Sequence, residues 1–189
     1  MPDKAVLFLV VELCSLTFRR EDTQKSNIVA AALFGDGAAA VLLLCAGAGP
    51  AVVAAGEHTW PQTLDIMGWE VAADGLKPVF SRDIPRLVAG KLGDAARDFL
   101  GRHGLTLDDV DRFVCHPGGP KVIDACELAF GLRQGVLNDA RGVLRDYGNM
   151  SAASVLFVLD RVLACEWARA LVTALGPGFT AGFVVLSRQ

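Results

Sequence analysis

The sequence predicts a layered α/β fold with a mixed β-sheet, and three observations lead to this fold class. Apolar runs of strand length alternate with segments whose apolar residues recur at helical spacing. Hydrophobic residues make up 52% of the 189 positions, which favours a sheet covered on both faces or a large interface. The last two strand-like runs are joined by only Gly176-Pro177-Gly178, as expected for an antiparallel pair.

The first part of the chain predicts two buried strands, Ala5–Val11 and Ala38–Leu44, because both are continuous apolar runs. Between them, Arg19–Asn27 predicts a surface loop or short helix, and Ile28–Leu33 a short helical or extended segment. An interior strand needs neighbours on both sides, and this one begins almost at Met1. We therefore expect the chain to be a piece of something larger.

The middle of the chain predicts a third strand at Ala51–Ala55, an irregular stretch over 61–77 and an edge strand at Leu76–Ser81. Asp83 is a candidate helix N-cap with Pro85 just inside the start, and Gly104 ends that helix. Its predicted buried face is Val88, Leu92, Ala95, Ala96, Phe99 and His103.

The last part begins with a single helical turn capped by Thr106. Gly131 and Gly148 are expected to terminate two helices, the second of them capped by Asn138, and the helix that follows is apolar enough to be buried on all sides. The predicted elements are a strand at Arg112–Cys115, helices at Pro120–Phe130, Asn138–Asp146 and Ser151–Ala164, and strands at Ala168–Leu175 and Phe179–Ser187.

Composition excludes several classes of function. The net charge of −3 and the lack of a basic block argue against a nucleic-acid partner. Gly47, Gly49 and Pro50 break the longest uncharged stretch into strand-sized pieces, so we expect no membrane span, and no basic region precedes a secretory signal core. Five cysteines without a Cys-x-x-Cys pair favour neither disulfides nor a metal site, and fit a cytoplasmic protein.

Three turns are candidates for chemistry, and for one of them, Gly176-Pro177-Gly178-Phe179, the structural interpretation is a hairpin loop. His116 follows an apolar strand and precedes Pro117-Gly118-Gly119-Pro120, where glycines let the backbone approach a ligand or adopt positive φ. Asn149 lies just before the last helix. His116 and Asn149 each also have a structural interpretation, a satisfied loop histidine and a helix N-cap. Together, imidazole and amide would suit an oxyanion or enolate, because both donate hydrogen bonds without adding negative charge.

Four motifs in order resemble the type III polyketide synthases, the chalcone and stilbene synthase family. They are Leu33–Ala40 (LFGDGAAA), His116–Pro120 (HPGGP), Asp146–Ser151 (DYGNMS) and Gly176–Phe179 (GPGF). Val11–Phe18 and Met67-Gly68-Trp69 look more like bacterial members that make alkylresorcinols or alkylpyrones.

The resemblance implies a thiolase-like fold, with residues 1–45 ending the N-terminal half and 46–189 forming the C-terminal domain. It implies a homodimeric acyltransferase that condenses an acyl-CoA starter with malonyl-CoA and needs no cofactor besides these thioesters. His116 and Asn149 would be the histidine and asparagine of a Cys-His-Asn triad. The residues matching substrate or CoA contacts are Phe34 and Phe80 as gatekeepers, Gly118, Gly119, Lys121, Cys14, Thr17, Gly176, Pro177 and Gly178.

The cysteine nucleophile of the family lies upstream, and none of the five cysteines here matches its motif. The chain therefore resembles a C-terminal portion, missing its N-terminal half and inactive alone. Two alternatives stay open. One is a ketoacyl-carrier-protein synthase III-like condensing enzyme, against which the Pro-Gly-Gly-Pro after His116 argues. The other is a non-catalytic remnant that kept the fold for dimerisation.

Overall fold

The computed structural model describes residues 4–73 and 75–188. Two short 3₁₀ turns, Cys14–Thr17 and Leu107–Asp109, accompany the strands and helices. In chain order the elements are β1 (Ala5–Glu12), α1 (Lys25–Leu33), β2 (Gly37–Leu44), β3 (Ala51–Thr59), β4 (Met67–Ala72), β5 (Gly75–Phe80), α2 (Ile84–Gly101), β6 (Arg112–Cys115), α3 (Pro120–Ala129), α4 (Asn138–Tyr147), α5 (Ala153–Leu163), β7 (Arg169–Gly176) and β8 (Thr180–Ser187).

The main sheet has the strand order β3-β8-β7-β6, in which β6 and β7 are parallel and the other pairs antiparallel. The predicted layered α/β fold with a mixed sheet is therefore confirmed, including the closing antiparallel pair β7–β8. Consecutive residues such as Val114 and Cys115 on β6, or Ala170 and Leu171 on β7, are all fully buried. Because neighbouring side chains on a strand point to opposite faces, both faces of this sheet are covered.

Helix α2 supplies much of the core. Its buried residues include Val88, Leu92, Ala95, Ala96 and Phe99, which is the face that the helical spacing predicts. The Phe99 ring stacks on Phe183 of β8 at 5.3 Å between centroids. His103 is exposed beyond the end of the helix, although its ring lies 5.1 Å from that of Phe99.

Strands β1 and β2 form a separate two-stranded antiparallel sheet, which we call the ribbon. The two strands are confirmed, but the prediction that they are buried is wrong for this chain. Leu7 and Leu9 are each 63% exposed, and Leu42 opposite Leu7 is 59% exposed. None of the described residues covers this outer face, so apolar character alone does not produce burial here.

Residues 61–77 are not irregular throughout, as the sequence suggested. Strand β3 continues to Thr59, and β4 pairs with β5 in an antiparallel hairpin. Thr63, between β3 and β4, has its hydroxyl 2.6 Å from the Trp60 carbonyl and 2.9 Å from the Gly178 carbonyl. This connection therefore fastens the β7–β8 turn, which is the structural role that composition did not reveal.

Three helix ends differ from prediction. Asp83 precedes α2, but its carboxylate makes no capping bond and instead accepts from Arg86 Nε at 3.3 Å. Asn138 is the first residue of α4 rather than its cap. Helix α5 begins at Ala153, and it is not buried on all sides, because Asp160 is exposed. The described helices contain no segment with the length and apolar character of a transmembrane span.

Candidate active site

His116 stands at the carboxyl end of β6, where the neighbouring strand holds its backbone. The His116 amide donates to the Thr173 carbonyl at 2.9 Å, and Gly118 donates to the His116 carbonyl at 3.0 Å. Gly119 then precedes α3, whose first turn contains Pro120. Neither glycine has a φ in the left-handed region, so the expected positive φ is wrong here, and close approach to a ligand stays a prediction.

The imidazole of His116 is half-buried and makes no hydrogen bond to the part of the chain that the structure describes. Burial lowers the pKa of His116 to about 4, because the apolar surroundings disfavour the charged ring. At neutral pH the ring is therefore uncharged, with one N–H to donate and one nitrogen to accept. A Cβ at Gly118 would lie 3.8 Å from its Nε2 atom, so glycine leaves that side of the ring open.

Asn149 is placed by main-chain pairing with the segment before β2. Its amide donates to the Leu33 carbonyl at 2.8 Å, and its carbonyl accepts from Gly35 at 3.0 Å. The side chain is buried, with Nδ2 3.3 Å from the Gly118 carbonyl and Oδ1 accepting from Ser151 N at 2.9 Å. The helix N-cap interpretation is wrong, because α5 begins four residues later and the amide faces the turn that follows His116.

Two glycines make this junction possible. A Cβ on Gly35 would lie 2.6 Å from the Tyr147 carbonyl oxygen, and one on Gly148 would lie 2.7 Å from the Leu33 carbonyl oxygen. Gly148 also has φ of 73°, a conformation that side chains other than glycine rarely adopt. Two motifs far apart in sequence, Phe-Gly-Asp-Gly and Tyr-Gly-Asn-Met-Ser, are therefore in direct backbone contact.

These residues border a cavity of about 710 Å³. Of the predicted site residues, the ones that line it are His116, Asn149, Gly118, Phe34, Phe80, Cys14, Gly176 and Pro177. The rings of Phe34 and Phe80 lie 5.6 Å apart across different elements. The sequence thus identified residues from six separate segments that meet at one cavity.

The other four predicted residues lie around the cavity without lining it. Thr17 donates from Oγ1 to the Cys14 carbonyl at 2.8 Å, and Gly178 donates to the Met67 carbonyl at 2.8 Å. Gly119 is buried at the start of α3, and Lys121 is exposed in the first turn of the same helix.

Several lining residues were not predicted as site residues. They are Glu12, Met67, Gly68, Trp69, Ile84, Leu92, Val122, Cys126, Ser151, Ala152, Thr173, Ala174, Leu175, Thr180 and Gly182. The Met67-Gly68-Trp69 motif was a signal for three of them. The lining residues from α2, α3 and β7 had no such signal in the sequence, because apolar residues at helical or strand spacing are typical of an ordinary core.

Cys14 lines the cavity and Cys115 ends β6 just before His116, and the pKa of each of these two thiols is raised. Burial, followed by the charges of Glu12 and Asp36, raises the pKa of Cys14. A hydrogen bond with Cys126, together with burial, raises the pKa of Cys115. A reactive cysteine needs the opposite shift. Within the described residues, no group of three or more His, Cys, Asp or Glu side chains is arranged to hold a metal ion.

Comparison with known proteins identifies what this architecture is similar to. The family model described as chalcone and stilbene synthases, C-terminal domain, matches residues 51–188. A 1,3,6,8-tetrahydroxynaphthalene synthase of Streptomyces peucetius is 44% identical over 98% of this chain and 52% of its own length. A putative chalcone synthase of Bacillus subtilis is 41% identical over 98% of this chain and 54% of its own length.

Solved structures agree with the sequence relatives. The crystal structure of 1,3,6,8-tetrahydroxynaphthalene synthase from Streptomyces coelicolor, a bacterial type III polyketide synthase, superposes with a TM-score of 0.92 at 29% identity. The match covers 100% of this chain and 55% of that one. The fold is therefore thiolase-like, and the chain spans about half the length of the relatives that it matches.

Proposed function

The chain belongs to the chalcone and stilbene synthase family, the type III polyketide synthases, and on this premise we propose that it supplies the histidine–asparagine half of a decarboxylative condensing site. The substrates would be malonyl-CoA and an acyl-CoA starter. The observation that carries the proposal is the meeting of a neutral, unpartnered imidazole (His116) and a buried amide (Asn149) at one cavity.

The proposed step is loss of CO₂ from a malonyl thioester. The bond between the carboxylate carbon and C2 breaks, and its electron pair moves into the thioester carbonyl, forming an enolate oxygen. One N–H of His116 and the Nδ2–H of Asn149 donate to that oxygen. Both groups are uncharged at neutral pH and held in a largely apolar cavity, where donors aimed at developing charge have their greatest effect.

The surrounding residues have proposed roles in binding. Phe34 and Phe80, with rings 5.6 Å apart, would separate the CoA entrance from the reaction cavity. Lys121, exposed beside the Gly118-Gly119 turn, would contact CoA. A second group consists of Cys14, Thr17, Gly176, Pro177 and Gly178, which would shape the cavity wall.

The nucleophile would come from an N-terminal half that carries the family cysteine. His116 would pair with that thiol, lower its pKa and become more basic itself as the thiolate forms. We accordingly propose that this chain is inactive alone, that its partner is such a half, and that the assembled protein is a homodimer needing no cofactor beyond CoA thioesters. Reduced cysteines fit a cytoplasmic setting.

The test is reconstitution. The purified chain is incubated with malonyl-CoA, with and without a long-chain acyl-CoA, either alone or with the N-terminal half of a family member supplied in trans. We expect polyketide only in the complemented mixture. His116→Ala and Asn149→Ala should each lower its rate by about 10²–10³, as for removal of an oxyanion donor. Turnover by the chain alone, or full rate in either variant, would contradict the proposal.

A non-catalytic interaction role is the second candidate, and the exposed apolar face of the ribbon favours it. Leu7, Leu9, Val11 and Leu42 are each more than half exposed on one side of β1 and β2. A face of this kind marks an interaction surface. Complementation separates the two candidates, because an interaction role predicts association with the added half without turnover.

A further inference from the structure

The hydroxyl of Thr173 has no partner. Thr173 is only 3% exposed, and its Oγ1 atom makes no hydrogen bond within residues 4–73 and 75–188. A buried hydroxyl without a partner carries an uncompensated loss of hydration. Valine has the same shape and suits a strand equally well, so packing does not explain the hydroxyl at this position.

Thr173 adjoins the proposed reaction site. It lies on β7 directly beside Cys115 in the parallel pairing with β6, and its carbonyl accepts from the His116 amide at 2.9 Å. The same residue lines the cavity that His116 and Asn149 border. An unsatisfied hydrogen-bonding group thus lies one strand away from the group that would act on the thioester.

The Thr173 side chain belongs to a distinct part of the cavity. Thr173 lies directly opposite Phe183 of β8, and the Phe183 ring stacks on Phe99 of α2. Because opposite residues of paired strands share a face, the Thr173 side chain is on the α2 face of the sheet. Ala174, one residue later, points to the opposite face. On the Thr173 side, the cavity is lined by Ile84, Leu92, Val122, Cys126 and Leu175, and we call this part the inner lobe.

The inner lobe fits a neutral, mainly apolar ligand. Apart from Thr173, its residues are four aliphatic side chains and one thiol. No Lys or Arg is among the described residues that line the cavity, whereas Glu12 is. A carboxylate in the lobe would therefore lack a countercharge, whereas a keto or hydroxyl oxygen on an acyl chain requires only one neutral hydrogen bond.

In the ligand-free chain the Oγ1 atom is shielded from solvent. The hydroxyl and methyl of threonine are similar in size and occupy neighbouring staggered positions. A turn of about 120° about the Cα–Cβ bond therefore moves Oγ1 to the place of the methyl, and the methyl to the place of the β-hydrogen. This turn would bring Oγ1 to the lobe when a ligand oxygen is present, with the methyl in the place that the β-hydrogen held.

We propose that the inner lobe is an acyl subsite in which the Thr173 hydroxyl bonds a keto or hydroxyl oxygen of the acyl chain. The subsite rests on the proposed function, since it assumes that CoA thioesters enter this cavity. Through this hydrogen bond, the cavity would bind an acyl chain that carries a keto or hydroxyl oxygen more tightly than an unsubstituted acyl chain of equal length.

The test compares acetoacetyl-CoA with butyryl-CoA, which have the same four-carbon chain and differ by one keto oxygen. Both are titrated into the full chain and followed by NMR chemical shifts. We expect acetoacetyl-CoA to bind about 3- to 10-fold more tightly, the range of one neutral hydrogen bond. Thr173→Val should abolish this preference and leave butyryl-CoA binding unchanged, while Thr173→Ser, which keeps the hydroxyl, should retain it.

Thermal unfolding provides the control for folding. Thr173→Val should be at least as stable as the original chain, because it removes an unpaired buried hydroxyl. If the valine variant still prefers acetoacetyl-CoA, the keto oxygen is bound elsewhere and the subsite is wrong, although the proposed function stands. If neither thioester binds the original chain, the subsite is wrong, whereas the proposed function is decided separately by the reconstitution test.

Discussion

The ribbon and the main sheet are built from the same kind of apolar strand, but they differ in what covers them. On β8, Phe183 and Val185 are almost completely buried between helices and neighbouring strands. On β1, Phe8 is 51% exposed and Leu9 is 63% exposed. Strand formation thus follows from local sequence, whereas burial depends on which other segments are present. Substitutions in each region, and at the junction between them, measure how far the two differ.

The largest expected difference is the cost of removing a ring from each region. Phe183→Ala should lower the free energy of unfolding by about 3–5 kcal/mol, because it deletes a buried ring stacked on Phe99. Phe8→Ala is the matched change in the ribbon and should cost less than about 1 kcal/mol. Urea unfolding followed by circular dichroism measures both. Equal losses would mean that the ribbon is packed as tightly as the sheet.

The second prediction concerns the junction between the two regions, where Gly148 lies against the Leu33 carbonyl. Gly148→Ala should destabilise by about 2–3 kcal/mol, because an alanine meets both a left-handed φ and the nearby Leu33 carbonyl. Gly104→Ala is its control, since Gly104 has φ of 69° but open space around it. The control should lose only about 1 kcal/mol. Similar losses in urea unfolding would show that the close contact with Leu33 contributes nothing.

This junction shows what sequence reasoning reached and what it did not. Gly148, in one of the two turns that meet here, was predicted as a helix terminator, and this is correct because glycine signals are local. The pairing of these two turns with each other was not predicted, since no local spacing encodes a contact across more than 100 residues. Thr173 was not predicted as a site residue for a related reason, because a β-branched residue is common in any strand.

The burial error on β1 and β2 has the same physical origin. An apolar run predicts a strand that is suited to burial, but only another segment can bury it. The predicted edge strand Leu76–Ser81 corresponds to β5, but its partner β4 was missed because nearby glycines obscured the alternation of polar and apolar residues. Residues whose role is set by their immediate neighbours in sequence, such as His116 before its turn, were the most predictable part of the site.

The titration of His116 provides a third test, within the packed region. Its pKa of about 4 lies below the ordinary value of 6.5, so the unfolded chain binds the proton more readily. Stability should therefore fall as the pH drops from about 6.5 to about 4, by about 1–3 kcal/mol, and be unaffected by this group above that range. Urea unfolding at several pH values measures the slope, which His116→Gln should reduce.

Asp146 titrates below this window. Hydrogen bonds from Arg145 and Arg161 lower the pKa of Asp146 to about 2, so its contribution is lost only as the pH falls below about 4. An NMR titration of the His116 ring should give a midpoint near 4. A midpoint near 6.5, or an unchanged slope in His116→Gln, would show that the ring is more hydrated than its place at the cavity indicates.

The smallest expected effect concerns the outer face of the ribbon. An uncovered row containing Leu7, Leu9 and Leu42 should make the chain self-associate, because contact between apolar surfaces removes them from water. Leu9→Lys should weaken association about 10-fold, since it places a charge in that row, while barely changing the free energy of unfolding at a position already 63% exposed. Light scattering over a concentration series measures the association.

Leu128→Lys is the matched control for that change. Leu128 is 70% exposed on α3, so it loses as little burial as Leu9, but it lies outside the ribbon. If the control weakens association as much as Leu9→Lys, the contact is spread over the whole surface and the two regions do not differ in this respect. If only Leu9→Lys weakens association, the ribbon is the surface through which the chain self-associates, although its exposed strands are expected to contribute little to stability.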